Sequence, residues 1–285
     1  MSSSLRSAAV RPMLVTALLA ALAALAGCAS TAAPRTTAVE ASVTTKAVGY
    51  LQSTAVPDSL ALVPSPPAAG SAGFALDEQV SREARALRGS PRFEQAHRDA
   101  ELAFPAGANQ FSCAIDVDVD AVKTPALYRL LERSRIDASA ATRTAKKHYQ
   151  RARPFMVNGE PTCSPEDEQD LRGNGSYPSG HTSIGWAWAL ILSEIAPDRA
   201  DAIQARGRNY GESRLVCNVH WQSDILEGRF MGAAAVARLH DNAAFNSDLL
   251  AARKEIAAAH KAGLHSARDC AAEEAVLKVR PASAL

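Results

Sequence analysis

The sequence predicts an all-α protein with a single compact helical domain, and three observations carry that prediction. Aromatic residues make up only 5% of the 285-residue chain while 47% is apolar, much of it alanine, which suits closely packed helices better than a β-sandwich. Apolar residues recur at three- and four-residue spacing along most of the chain. No stretch alternates convincingly as a strand, and there is no internal repeat.

The elements follow in chain order. Ala29 to about Ala47 is rich in Thr and Ala, lacks periodicity and reads as a tether. Val56 to Gly73 holds Pro57, Pro64, Pro66 and Pro67 with Gly70 and Gly73, which forbids a helix interior and implies an extended segment laid over the domain. Helical periodicity then covers Asp77–Leu102, Pro125–Arg153, Ser183–Ile195, Arg199–Ser213 and Trp221–Leu239. Pro154 ends the second helix, Pro161 to Pro165 opens an irregular stretch, and Gly173, Gly175 and Pro178 mark a loop. Beyond about Ala258 the Ala/Lys/Glu-rich chain reads as a surface helix running into a loose tail. The expected organisation is a signal over 1–27, a flexible tether over 28–47, a helical domain over 48–262 and a tail over 263–285.

Arg6 and Arg11 precede an apolar run from Met13 to Ala26, the layout of an export signal and too short for a comfortable membrane span of roughly 20 residues. The run ends in Leu25-Ala26-Gly27-Cys28, which resembles a bacterial lipobox with Cys28 as the acylated residue. The alternative is an ordinary secretory signal cleaved near Ala29 or Ala33; a retained anchor helix is weaker than either. The chain is therefore expected in the periplasm, tethered to the outer membrane if Cys28 carries lipid, with no other membrane contact. Losing residues 1–27 removes two arginines and no acids, so the mature formal charge is −1. A balance this even argues against a nucleic-acid partner, which would demand a basic excess. Export also makes Cys113, Cys163, Cys217 and Cys270 candidates for two disulfides, with three connectivities open.

Chemistry is concentrated in three blocks. Lys146 and Arg153 are two helical turns apart, so the helix expected there would place both cations on one face. Pro178-Ser179-Gly180-His181 runs straight into an apolar helix; Ser179 is a natural cap, Gly180 permits close backbone approach, and the helix start binds anions. Ser213-Arg214 is followed by His220 and Asp224, which share a helical face at i and i+4, so Asp224 can orient one ring nitrogen and leave the other free. Each block alone is ordinary: a solvated basic stripe, a capped helix, a structural His–Asp pair. Together they supply three cations, an anion-binding helix start, a carboxylate-oriented His and a second His, which describes phosphoryl transfer. His181, His220 and Asp224 also have the ligand types of a two-His, one-carboxylate metal site, but Lys146, Arg153 and Arg214 would repel a divalent cation, and the chemistry needs no cofactor.

Written as spacings, Lys146, six residues, Arg153-Pro154; Pro178-Ser179-Gly180-His181; and Ser213-Arg214, five residues, His220, three residues, Asp224 fill every fixed position of a known signature. It is that of the type 2 phosphatidic acid phosphatase and vanadium haloperoxidase superfamily. Arg153-Pro154-Phe155, Gly175-Ser176-Tyr177, His220-Trp221-Gln222-Ser223-Asp224 and the Pro-rich lead-in resemble its bacterial class A non-specific acid phosphatases over roughly residues 50–250. The lipobox departs from the simpler secretory signals of that class.

The resemblance implies an all-helical fold and metal-independent periplasmic hydrolysis of phosphate monoesters at acidic pH, with phosphotransfer when an alcohol replaces water. It implies that His220 attacks phosphorus, Asp224 holds the His220 ring and His181 protonates the leaving group. It assigns Lys146, Arg153 and Arg214, with Ser179 and Gly180, to the phosphoryl oxygens, and makes inorganic phosphate and vanadate pocket ligands. It also implies a Cys163–Cys217 disulfide, with Cys113–Cys270 as the second. The competing expectations are a vanadate-dependent haloperoxidase and a non-catalytic phosphate-binding lipoprotein. The physiological substrate is open, and so is a homo-oligomer.

Overall fold

A computed structural model describes residues 47–285; the expected signal, the expected tether as far as residue 46, and Cys28 lie outside the described residues. The described residues form thirteen α-helices joined by loops and three short 3₁₀ turns, and contain no strand. The helices are α1 Ser59–Leu62, α2 Ala72–Arg85, α3 Pro91–Arg98, α4 Ser112–Ile115, α5 Pro125–Ala140, α6 Arg143–Tyr149 and α7 Pro154–Asn158. They continue with α8 Glu168–Arg172, α9 Gly180–Ile195, α10 Ala200–Val216, α11 Gln222–Leu239, α12 Ala243–Lys261 and α13 Cys270–Leu277.

The apolar α9 is the axis of the domain. A helix apolar on every side can only be satisfied by neighbours on every side, and α5, α10, α11 and α12 supply them. Trp188, Ile191 and Leu192 are fully buried on it, with Phe111 and Tyr210 packed edge-on or tilted against Trp188. At its first turn α11 approaches through glycine. A Cβ on Gly228 would lie 2.7 Å from the Ser179 carbonyl oxygen, and one on Gly232 would lie 2.5 Å from that of Ser183. Backbone cannot yield as a side-chain tip can, so these two positions hold α11 against the functional end of α9.

Two expected long helices are broken. Asp77–Leu102 divides at Gly89, whose φ of +72° no continuing helix accepts; Ser90 then caps α3 with Pro91 at its first position. Pro125–Arg153 divides into α5 and α6, and α6 stops at left-handed Gln150. Pro154 opens α7 instead of closing a helix, because proline suits a first turn as well as it breaks an interior.

The C-terminus is not a loose tail. Residues 263–285 include α13, a Cys113–Cys270 disulfide and an Arg280–Glu212 ion pair at 2.6 Å. Glu273 also lies 3.4 Å from the buried Arg206. The second disulfide joins Cys163 to Cys217 beside the third block. The bonds close loops of 157 and 54 residues, spans over which a disulfide contributes roughly 3–5 kcal/mol. The proline-rich lead-in lies over the domain, with Tyr177 Oη donating to the Pro64 carbonyl at 2.8 Å, but it is not extended throughout: Ser59–Leu62 turns into α1 ahead of Pro64, and α2 already begins at Ala72. No helix among the described residues is long and apolar enough to cross a membrane.

Candidate active site

A cleft of about 350 Å³ opens at the N-terminus of α9. Lys146, Arg153, Gly180, His181 and His220 line it, with Leu102, Leu171 and Ile184 as its apolar wall and no carboxylate among the lining residues. The other expected site residues stand just behind: Ser179 caps α9, Asp224 backs His220, and the Arg214 carbonyl accepts from the His220 N–H at 3.3 Å.

The cations converge by a route the helical spacing did not foresee. With α6 ended at Gln150, Lys146 and Arg153 are not on one helical face; Arg153 lies in an extended turn at the start of α7. Lys146 Nζ donates to the carbonyls of Gly175 at 2.7 Å and Ser176 at 3.2 Å, which uses two of its three protons. Arg153 Nε donates to Leu171 and Asn174, and Nη1 to Val219, all at 2.9–3.1 Å. Backbone carbonyls therefore orient both cations without neutralising them. Burial lowers the Lys146 pKa well below its ordinary value, aided by Arg153, and lowers that of Arg153 to about 10. Arg214 is 1% exposed, yet its Nε and Nη1 have no hydrogen-bond partner among the described residues. Buried guanidinium nitrogens usually find a partner, so this pair of idle donors is available to an anion.

The second block forms as expected. Ser179 Oγ accepts from Thr182 N–H at 3.3 Å and from the Thr182 hydroxyl at 2.9 Å, leaving its own proton unassigned. The Ser179 N–H donates to the Asp224 carbonyl at 2.9 Å and ties the second block to the third. His181 Nε2 donates to the Ala100 carbonyl at 2.8 Å, which sets the tautomer and leaves Nδ1 unprotonated in the neutral ring.

His220 and Asp224 meet through a helix cap, not along a helix face. His220 precedes α11, Trp221 is the N-cap, and Asp224 turns back from the first turn. Asp224 Oδ2 accepts from Trp221 N–H at 2.8 Å and from His220 Nδ1 at 3.2 Å. Nε2 then carries the lone pair, and Arg153 Nη1 donates to it at 3.1 Å. Burial, and then the charges around the cleft, push both histidines well below the ordinary histidine value: Arg214 is the leading charge at His181, and Arg153, Lys146 and Arg214 act at His220.

Three groups of consequence had no local sequence signal. Arg151, which lies between the two cations of the first block, has a side chain 9% exposed and makes 2.7 Å ion pairs with both Asp77 and Asp224. Asp99 ties α3 to Arg206 and Ser213 on α10. Thr142, Arg143 and Lys147 join the cleft wall. No three His, Cys, Asp or Glu side chains among the described residues are grouped as a metal site would require.

Residues 135–247 match the PAP2 superfamily. The chain is similar to a non-specific acid phosphatase of Providencia stuartii, 46% identical over 217 residues, covering 75% of this chain and 88% of that one. A non-specific acid phosphatase of Salmonella typhimurium is 40% identical over 195 residues, 68% of this chain and 78% of its own. An acid phosphatase of Zymomonas mobilis is 39% identical over 199 residues, 70% and 75% of the two chains. Identity at this level across most of both chains, on an all-helical fold that gathers the signature residues at one cleft, means that the chain belongs to the bacterial class A non-specific acid phosphatases of the PAP2 superfamily.

Proposed function

We propose that this acid phosphatase hydrolyses phosphate monoesters without a metal, through a phosphohistidine at His220. The single observation that carries the reading is the His220 ring. Its Nδ1 is held on Asp224 and its Nε2 is directed at Arg153 in a cleft that His181 shares.

The phosphoryl oxygens draw the Arg153 guanidinium and free the Nε2 lone pair. Nε2 attacks phosphorus, the ester P–O bond breaks, and the leaving oxygen takes a proton from the His181 imidazolium. Water then attacks the phosphohistidine and gives a proton to the now neutral His181; the P–N bond breaks and phosphate leaves. An alcohol in place of water yields a transferred phosphate ester. Lys146, Arg153, Arg214, the Ser179 hydroxyl and the α9 N–H groups stabilise the charge on the equatorial oxygens, the task Mg²⁺ performs in other phosphoryl-transfer enzymes. Hydrolysis of a chromogenic phosphate ester at about pH 5–6 is therefore expected to be undiminished by excess chelator. Loss of turnover that returned with added divalent metal would overturn the metal-free reading.

The histidines make the free protein sensitive to acid. Both are neutral in the folded state and held below the unfolded value of about 6.5, so the unfolded chain binds more protons below that pH. Their contribution to stability is full above about pH 6.5 and is lost as pH falls towards their folded values. At pH 5 the phosphate monoanion can bind and pass its proton to His181, leaving a dianion beside the imidazolium, which reverses part of that loss. The melting temperature is expected to fall from pH 7 to pH 5, with inorganic phosphate raising it more at pH 5 than at pH 7. Equal phosphate shifts at the two pH values, read by differential scanning fluorimetry, would contradict this coupling.

The export reading supports a periplasmic site of action, with a lipid on Cys28 as the only membrane attachment. Two disulfides agree with an oxidising compartment.

A further inference from the structure

Arg151 faces away from the cleft into a closed ring of polar contacts behind the nucleophile. Its Nη1 donates to Asp224 Oδ1 and to Ser223 Oγ, and its Nη2 donates to Asp77 Oδ2, each at 2.7 Å. The Ser223 N–H and hydroxyl donate to Asp77 Oδ1 and Oδ2, again at 2.7 Å. Asp77 is 1% exposed and Asp224 0%. The guanidinium also lies 5.5 Å from the Trp221 ring centre and 6.0 Å from that of Tyr177, which screen it from water. One desolvated cation thus serves two buried carboxylates from different helices, with α2 supplying Asp77 and α11 supplying Asp224.

We propose that Arg151, itself held by Asp77, is a positioning residue for the nucleophile: it fixes Asp224 Oδ1 so that Oδ2 holds the His220 ring in its attacking orientation. The inference rests on the His220 reading above and deepens it. A carboxylate bound only through Oδ2 can rotate about its last bond; one bound through both oxygens cannot, and the ring it holds is fixed with it. Orientation of this kind acts on kcat, since the substrate phosphate touches neither Arg151 nor Asp77.

Arg151 also acts on His220 through charge. The ring is faced by Lys146 on α6, Arg151 and Arg153 between α6 and α7, His181 on α9, Arg214 on α10 and Asp224 on α11. Arg151 is one of four cations that disfavour its protonation. Removing Arg151 therefore makes His220 protonate at higher pH, so the acidic limb of the kcat/KM profile, where the nucleophile becomes protonated, moves upward.

The test compares Arg151→Gln, Arg151→Lys and Asp77→Asn in the full protein with a chromogenic ester across the pH profile, alongside inhibition by inorganic phosphate. Arg151→Gln is expected to lower kcat by about 10–100-fold, leave KM and phosphate inhibition within about threefold, and move the acidic limb upward. Arg151→Lys keeps the charge and so the limb, but an ammonium cannot span two carboxylates in the fork geometry, so kcat still falls. Asp77→Asn lowers kcat with the limb unmoved. If Arg151→Gln does not accumulate as folded protein, the other two decide: wild-type kcat in both overturns the proposal. So does an Arg151→Gln enzyme with kcat within about twofold of wild type, or one whose loss lies entirely in KM. His220→Ala serves as control: if it turns over, the nucleophile assignment itself has failed; if it is inactive while the Arg151 and Asp77 variants match wild type, only the positioning role has.

Discussion

His220→Ala is expected to lower kcat by about 10⁴-fold or more and to abolish covalent labelling by phosphate ester. The size follows from what remains. On the proposed mechanism Lys146, Arg153 and Arg214 still bind the phosphoryl group, because Lys146 and Arg153 take their orientation from backbone carbonyls and Arg214 from its place on buried α10. The variant should therefore bind inorganic phosphate about as well as wild type, and more tightly if Arg153 Nη1, relieved of His220 Nε2, gives its donor wholly to the anion. Only the nucleophile is gone, and no other nucleophilic side chain among the cleft-lining residues has an oriented lone pair in its place. His181 does not substitute, because its Nε2 is committed to Ala100 and its Nδ1 must be protonated to serve the leaving group. A wild-type enzyme quenched in alkali during turnover should carry acid-labile phosphate, and the variant none. Label that survived the substitution would place the covalent step on another residue. Loss of phosphate binding along with turnover would mean that the substitution had collapsed the site and not merely disarmed it.

The contrast between what was legible in the sequence and what was not has a physical basis. α9 was legible because an apolar run bounded by Ser-Gly on one side and Pro on the other has one reading, a buried capped helix. The signature residues were legible as a set because their chemistry depends on type and spacing. Their geometry was not. Lys146 and Arg153 converge through a left-handed residue, Gln150, that glycine-based turn rules do not flag. His220 and Asp224 meet through a capping interaction whose i, i+4 spacing imitates a shared helix face. Arg151 was hidden for a different reason: its partners are 74 and 73 residues away, and a buried ion pair leaves no local trace at that separation. The same holds for the C-terminal segment, whose Ala/Lys/Glu-rich composition reads as solvated until Cys270, Glu273 and Arg280 are seen to be anchored to α4, α10 and the core.

Asp99→Ala is expected to be the most destabilising of the substitutions near the site, by about 3 kcal/mol, a drop of roughly 6–12 °C in melting temperature for a domain of this size. Asp99 is fully buried between α3 and α10, 107 residues in sequence from its partner Arg206. Oδ1 accepts from Arg206 Nη2 at 2.5 Å and from Gln95 Nε2 at 2.9 Å, and Oδ2 accepts from the Ser213 hydroxyl at 2.5 Å. Ser213 in turn accepts from Arg92 Nη1 at 2.9 Å, so a single carboxylate balances two buried guanidiniums. Truncation still leaves Arg206 with Glu273 at 3.4 Å and the Gln110 carbonyl at 2.9 Å, and the Phe111 and Tyr210 rings beside it, which holds the cost to the lower part of the range for breaking a buried pair. The loss should also reach catalysis below the melting transition. Asp99 is followed by Ala100, whose carbonyl holds His181, and Ser213 precedes Arg214, so one side chain supports both the proton donor and an oxyanion cation of the proposed mechanism. The paired replacement Asp99→Leu with Arg206→Met, which removes both charges together, should recover much of the stability but not the activity, because the apolar pair no longer hooks Ser213. A melting shift under about 2 °C for Asp99→Ala would show that α3 is held to α10 by packing alone; full activity in the paired variant would show that Ser213 sets Arg214 without Asp99.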